Sequence, residues 1–409
     1  MERESDTKGD PPKLGRRKVF RWLFGAVVLA VFGLSFGMGV AFTDITLGRL
    51  ADDSMRTHAD FDTFWQSAEA VWAGDEAYDT GARLDNLNPP LWTLAISPLG
   101  LIEPILAYRI FAALSAAVMF GYLAWMAAET RLGGGWASLS TALLIVSSPF
   151  LASIVLGQIY AFLALGLVAA WVLDRRGKPI ASGVALGITI AVKPSLLPIM
   201  LWQISRKRWD SLFATLVTGA SVTLAAALSL GFGATFDWLR LLRDATVNPY
   251  WDNASLPAAA ARLFTENSYA EMVADLPWTI PAAYIIGAAL AALTARRLRR
   301  DPSLGFWAMV AASLLVSPIS WHNYLMLLAP GILLLISRGH ILPALLLLGL
   351  QTIPPQWPLV WMNDETIFAS LMLTLYLYIL LIHWWSFLPS RKLRNHEASH
   401  LADSGFREE

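Results

Sequence analysis

Residues 174–208, DRRGKPIASGVALGITIAVKPSLLPIMLWQISRKR, decide the architecture. Lys and Arg gathered beside apolar segments mark the cytoplasmic side of a membrane protein. The clusters at Asp174–Lys178 and Arg206–Arg208 therefore both face the cytoplasm, and the apolar chain between them must rise and return. About 13 residues of helix on either side of Lys193-Pro194 rise roughly 20 Å, less than the roughly 30 Å of a hydrocarbon core. The hairpin is too short to cross twice, so its tip places Lys193 inside the membrane thickness. An ammonium group there requires an anionic partner or a route to water. Either a lipid phosphate supplies the partner, or the side chain snorkels to the outer headgroups.

Composition supports the membrane reading. The 409 residues are 56% apolar and 15% charged, outside the range of soluble domains. Backbone groups in lipid must be satisfied internally, and the sequence reads as an all-α polytopic membrane protein. The absence of cysteine excludes disulfides, thiolate metal sites and a cysteine nucleophile. The formal net charge is zero, and no nucleic-acid partner is expected.

The basic clusters set the phase of the chain. A polar tail, 1–19, ends in Arg16, Arg17 and Lys18, which puts the N-terminus in the cytoplasm and the loop after the first span outside. That span is too long for a signal-peptide core and lacks a cleavage site, so it reads as a retained helix. Further apolar segments at 105–128, 136–154, 159–173, 211–231, 279–295, 304–319, 323–337, 341–353 and 366–387 alternate in direction and return every basic cluster to one side. Counting the short hairpin as two gives twelve segments, and ten to twelve are expected. The whole of 20–387 reads as one transmembrane domain, with outer loops over about 43–104 and 232–278 and a cytoplasmic tail at 388–409. The protein is expected in the cell membrane, with both termini cytoplasmic.

Polar residues that demand an explanation all fall on the outer face. The first outer loop, HADFDTFWQSAEAVWAGDEAYDTGARLDNLNPPL at 58–91, combines seven carboxylates with aromatic residues that suit a membrane interface. Asp60 and Asp62 stand two apart, so on a helix they point about 200° apart and only one of them serves a given site. Asn88, Gln158, Lys193, Asn253, Ser255 and His322 lie on the same side of the membrane. His322 follows Pro318 between two helices and is read equally as functional or structural. No run of His and carboxylates has metal-ligand spacing, and there is no P-loop or Rossmann fingerprint, so neither a metal nor a cofactor is expected.

The stretches ADFDTFWQSAEAVWAGDEAYD (59–79), NPPLWTLAISPL (88–99), LGQIYAFLAL (156–165), GVALGITIAVKPSLLPIMLW (183–202), DNASLPAAAARLF (252–264) and SPISWHNYLML (317–327) occur in this order. In this series the chain resembles glycosyltransferase family 87, polytopic C-type glycosyltransferases that use polyprenyl-phosphate sugars. The resemblance implies a C-type bundle with an acidic first outer loop. It also implies an inverting transfer of a hexose, mannose by the family's habit, from a polyprenyl-phosphate donor to a lipid or glycan acceptor. The D-F-x-x-[FY] pattern places the catalytic base on Asp60. Family members tend to carry Asn two residues after Gly-Gln, where this chain has Tyr160 after Gly157-Gln158-Ile159.

The chemistry fits these residues. A transfer from a lipid phosphate needs a base for the acceptor hydroxyl and a cation or polar donors for the leaving phosphate. Asp60 is assigned the first task and Lys193 the second. His322, Asn253, Ser255, Asn88, Gln158 and Asp62 are candidate substrate contacts. The competing reading is a transporter or flippase whose pathway these groups line. A lipid-phosphate hydrolase lacks the clustered His and Arg it would need.

Overall fold

A computed structural model describes residues 16–298, 301–361, 364 and 366–388. Both proposed tails, apart from residues 16–19 and 388, and parts of the Arg296–Arg300 cluster and the 354–365 turn lie outside the described residues. Among those described the chain is all-α, with one isolated bridge between Asn253 and Trp321.

The first half comprises α1 (Arg16–Ala41), α2 (Thr43–Leu50), α3 (Ala59–Ala73), α4 (Pro90–Ile96), α5 (Pro104–Glu129), α6 (Gly134–Ile145), α7 (Ser148–Leu156), α8 (Tyr160–Arg175) and α9 (Pro179–Val192). A 3-10 turn, Pro194–Ile199, leads to α10 (Met200–Ser205), α11 (Trp209–Leu230), α12 (Phe232–Asp244), α13 (Leu256–Phe264), α14 (Thr279–Arg297) and α15 (Pro302–Val316). After a second 3-10 turn, His322–Leu328, the chain closes with α16 (Ala329–Ser337), α17 (Ile341–Leu350), α18 (Ile367–Met372) and α19 (Leu375–Phe387).

Among the described residues, four single helices are long and apolar enough to cross a membrane: Trp22–Ala41 of α1, α5, α11 and α14. The pair α6 and α7, bent by 50°, makes a fifth span by length and composition. The remaining apolar segments run 10–17 residues, because prolines and polar residues interrupt them. The segment expected at 136–154 bends at Val146-Ser147, before Pro149, whose ring removes a helical N–H. The one at 366–387 breaks between α18 and α19, and that at 323–337 begins as a 3-10 turn.

Small residues set the closest helix contacts. Gly183 and Gly187, one turn apart on α9, face α11: a Cβ on Gly187 would come within 2.6 Å of the Thr215 carbonyl. Thr215 Oγ1 donates to the Gly183 carbonyl at 3.1 Å. Small residues spaced by four let backbones approach and make such interhelical bonds possible, each worth about 0.6 kcal/mol in membranes. The centre of the bundle is α15 with the 322–336 segment, in which every residue from Leu304 to Leu315 and from His322 to Ile336 is buried.

The two ends of the bundle differ in charge. At one end Arg206 and Arg208 pair with Asp174 at 2.5 and 3.5 Å, Arg176 with Glu129 at 2.8 Å, and Arg338 with Asp301. Trp171 and Trp202 donate to the Ser303 and Pro302 carbonyls beside them. The basic clusters that the sequence places on one side therefore meet in space. The outer-loop residues gather at the other end.

The aromatic residues of α3 divide between two jobs. Trp65 and Trp72 donate their indole N–H groups to the Ile102 and Ser97 carbonyls at 3.0 and 2.7 Å, fastening the helix to the turn after α4. Phe61 and Phe64 are buried with Trp92 and Phe111 in the core, not at an interface as their residue types suggest. This burial holds Asp60 in place.

Candidate active site

Asp60 stands in the first turn of α3, where an acidic residue suits the helix dipole. The helix is pressed against the end of α7. Gly157 ends α7 with φ +71°, and a Cβ at that position would overlap that of Phe61. Only glycine combines that backbone with that proximity. The consequence is local: Gln158, next in sequence, shares a cavity with the Asp60 carboxylate and favours its ionised form.

Asp60, Asp85, Asn88, Gln158, Tyr160, Lys193, Trp321 and Tyr324 line one cavity of about 80 Å³. Lys193 reaches it because α9 ends at Val192 and Lys193 adopts extended backbone (φ −139°, ψ 86°) before Pro194. The expected break is therefore present. The Lys193 ammonium donates to Asn88 Oδ1 at 3.4 Å and lies 5.4 Å from the Tyr324 ring centre. Among the described residues no carboxylate forms an ion pair with it. Asn88 is itself fixed: its N–H donates to Asn86 Oδ1 at 3.2 Å, and its carbonyl accepts from Tyr78 Oη at 2.9 Å. Trp238 of α12 donates to the Leu87 carbonyl, tying the second outer loop to the first.

Burial pushes the Asp60 carboxyl up to about 6. The Gln158 hydrogen bond and the charge of Lys193 oppose the rise, Asp252 adds to it and Arg83 opposes it more weakly. A carboxylate poised near neutrality is suited to proton transfer.

The structure also corrects parts of the expected constellation. Asp62 leaves the cavity, as the helix geometry requires, and accepts from Gln66 Nε2 at 2.9 Å. Asn253 and Ser255 are fully buried and do not line the Asp60 cavity. Asn253 Nδ2 donates to the Asn248 and Pro318 carbonyls, its Oδ1 accepts from the Ser255 and Ser320 N–H groups, and Ser255 Oγ caps α13. His322 does not line the Asp60 cavity. It sits 1% exposed with Nδ1 2.5 Å from Asp252 Oδ1, and the same oxygen accepts its backbone N–H at 3.0 Å.

Asp252 was passed over for its neighbour Asn253, although an acid beside two aromatic residues in the second loop was a visible signal. Arg262 was missed as well. It is fully buried and donates to the Pro249, Tyr250 and Asn253 carbonyls and to Thr374 Oγ1. Burial lowers its pKa to about 10. These bonds brace the short loop that carries Asp252. Among the described residues no three His, Asp or Glu side chains are grouped to hold a metal ion.

The sequence model of glycosyltransferase family 87 matches residues 86–318, more than half of the chain, and includes Asn88, Gln158, Lys193 and Asp252. The chain belongs to glycosyltransferase family 87. This family 87 protein is a multi-pass membrane enzyme, and glycosyl transfer, not transport, is its activity. It is 25% identical to a polyprenol-phosphate-mannose-dependent alpha-(1-2)-phosphatidylinositol mannoside mannosyltransferase of Mycobacterium tuberculosis strain H37Rv, over 79% of this chain and 77% of the relative. Among solved structures it is similar to ArnT from Cupriavidus metallidurans. In the apo state the TM-score is 0.40 at 17% identity, covering 92% of this chain and 78% of ArnT. In the form bound to undecaprenyl phosphate the values are 0.37, 14%, 91% and 77%.

Proposed function

We propose that this family 87 enzyme moves a hexose, mannose by its similarity to the mycobacterial relative, from a polyprenyl-phosphate donor to a lipid or glycan acceptor at the outer membrane face, with inversion. The observation that carries this reading is the shared cavity of Asp60 and Lys193, an acid poised near neutrality opposite a cation with no carboxylate partner among the described residues. Asp60 takes the acceptor hydroxyl proton. The acceptor oxygen then bonds to the anomeric carbon as the bond from that carbon to the phosphate oxygen breaks, and the prenyl phosphate leaves with the electron pair. Lys193 meets the growing negative charge on the phosphate, and Asn88 and Gln158 hold the two charged groups in register.

The basic end of the bundle then faces the cytoplasm and the site faces the opposite side. The deciding experiment supplies purified protein with labelled polyprenyl-phosphate mannose and a panel of membrane glycolipids, and follows label into product. Label that stays on the donor in the presence of every acceptor, or a reporter fused within 50–85 that reads cytoplasmic, would defeat the proposal.

A further inference from the structure

A separate cavity, of about 190 Å³, lies at the basic end of the bundle, away from Asp60 and Lys193, where α8, α10 and the start of α15 meet. Trp171 and Trp202 form two of its walls, and their indole N–H groups are engaged by the Ser303 and Pro302 carbonyls, which fixes both rings. Each ring carries a guanidinium. Arg175 lies 4.7 Å from the Trp171 ring centre and Arg206 4.8 Å from that of Trp202. The chain then turns at Lys207, whose φ is +57°, and Arg208 lines the cavity as well.

Positive charge is in excess there. Arg206 and Arg208 share one carboxylate, Asp174, at 2.5 and 3.5 Å. Arg175 stands 3.5 Å from Glu129, which Arg176 holds more closely at 2.8 Å. Asp301, beside Pro302, is paired with Arg338. Four arginines thus share two carboxylates, Asp174 and Glu129, among the described residues. Each guanidinium has five N–H donors, and the bonds to Asp174, Glu129 and Ser303 occupy a minority of them. The side chains of Arg175 and Arg208 are 38% and 41% exposed, so their remaining donors can be reached from outside. Guanidinium forks presented in this way suit the oxygens of a phosphate.

The surface next to the cavity says what carries that phosphate. Directly after Arg208, α11 begins with Trp209, and Trp209, Phe213 and Leu216 form a one-sided stripe that is 58%, 70% and 52% exposed. Helix α11 is long and apolar enough to cross a membrane, so the stripe faces lipid and starts level with the guanidiniums. A phosphate attached to acyl chains meets both surfaces at once, whereas a water-soluble phosphate meets only the arginines. Basic pockets between spans on the side rich in Lys and Arg take anionic lipid headgroups.

We propose that this cavity binds the headgroup of an anionic phospholipid, its phosphate on Arg175 and Arg208 and an acyl chain along Trp209 and Phe213, with Arg206 kept on Asp174. The lipid is a bound partner of the fold and not a substrate, because the site lies at the end opposite Asp60. It stands independently of glycosyl transfer, and the orientation proposed above puts it in the cytoplasmic leaflet.

Native mass spectrometry of the full-length protein in detergent, titrated separately with phosphatidylglycerol, phosphatidylcholine and inorganic phosphate, tests this. Phosphatidylglycerol is expected to bind more tightly than phosphatidylcholine, and the double variant Arg175→Gln/Arg208→Gln, which leaves the Arg206 to Asp174 pair in place, to weaken it about tenfold or more. Arg131→Gln/Lys178→Gln removes the same charge from exposed positions at the same end, outside the cavity, and should weaken binding far less. Equal weakening in the two double variants would mean diffuse attraction to a basic surface and overturns the site. Equal binding of the two phospholipids by the parent protein overturns it without any variant. Inorganic phosphate that binds through Arg175 and Arg208, with no preference for phosphatidylglycerol, would assign the cavity to a soluble phosphate and overturn the lipid.

Discussion

One carboxylate oxygen, Oδ1 of Asp252, sits 2.5 Å from His322 Nδ1 and also takes the backbone N–H of the same histidine at 3.0 Å. This double contact fixes both the ring and the chain that carries it. Nε2, on the far side of the ring, is buried and without a partner among the described residues. A ring oriented by a carboxylate can present its far nitrogen in one tautomer to a reacting group or phosphate. Asp252→Asn keeps an oxygen for the backbone N–H but offers no anion to the ring. The expected result is a drop in kcat of about tenfold or more with an unchanged elution profile and thermal midpoint. Full activity in Asp252→Asn would show that the pair only packs the loop.

The two acids of α3 are expected to separate cleanly. Asp60→Asn should lower transfer by about 10²–10⁴-fold, with membrane insertion unaffected. Asp62→Asn loses only the contact to Gln66 on another face of the helix and should stay within a few-fold of the parent. Initial rates on purified variants check this. An inactive Asp62→Asn beside an active Asp60→Asn would reverse the assignment.

The pH profile follows from the surroundings of Asp60. A base must be ionised to accept a proton, so kcat/KM should fall as pH drops through about 6. The charge of Lys193 holds that value down. Lys193→Met should therefore move the acid limb to higher pH and also raise the donor KM more than the acceptor KM. Lys193→Arg, which keeps the charge, should leave the limb near its parental position and retain part of the activity. A limb that does not move in Lys193→Met, together with an unchanged donor KM, would leave snorkelling to the headgroups as the role of this lysine.

Arg262 should show in stability before it shows in chemistry. Its buried guanidinium donates four hydrogen bonds, three of them to backbone carbonyls of residues 249–253. Arg262→Gln leaves most of these acceptors unsatisfied and should cost about 3 kcal/mol or more, read as a lowered midpoint in thermal or denaturant unfolding. A midpoint equal to the parent's would mean that the loop braces itself by other means.

Charge and length made much of this molecule legible in the sequence, and packing hid the rest. The alternation of basic clusters exposed the membrane bundle, and the distance between Arg176 and Arg206 exposed the break at Lys193, because both depend only on position along the chain. Asp60 was separable from Asp62 by helical periodicity. The burial of Asn253 and Ser255 was not legible, because side-chain amides and hydroxyls in outer loops look alike whether they bind a ligand or satisfy a buried backbone. Only the fold distinguishes them. His322 was visible, but its partner was not, since 70 residues separate it from Asp252 and no local pattern links the two.

The contact between Gly157 and Phe61 makes the last prediction, since it is what sets Gln158 beside Asp60. Two requirements meet at Gly157, a positive φ and no room for a Cβ, and substitution can separate them. Gly157→Asn tolerates the left-handed backbone but brings a side chain against Phe61, whereas Gly157→Ala suffers from both backbone strain and the smaller clash. Either pushes the start of α3 away from α7 and lengthens the Asp60 to Gln158 contact. Overpacking of this kind costs about 1–3 kcal/mol, and activity should fall further than stability because the base is displaced from the cavity it shares with Lys193. Adding Phe61→Gly removes the Cβ that the new one would overlap. In the Gly157→Asn background it should recover part of the lost kcat even though Phe61→Gly alone removes a core aromatic and lowers stability. Such recovery is a non-additive effect between residues in contact. Additive losses in the double variant would mean that Gly157 matters only for its backbone, and that Asp60 is positioned by something other than this close approach.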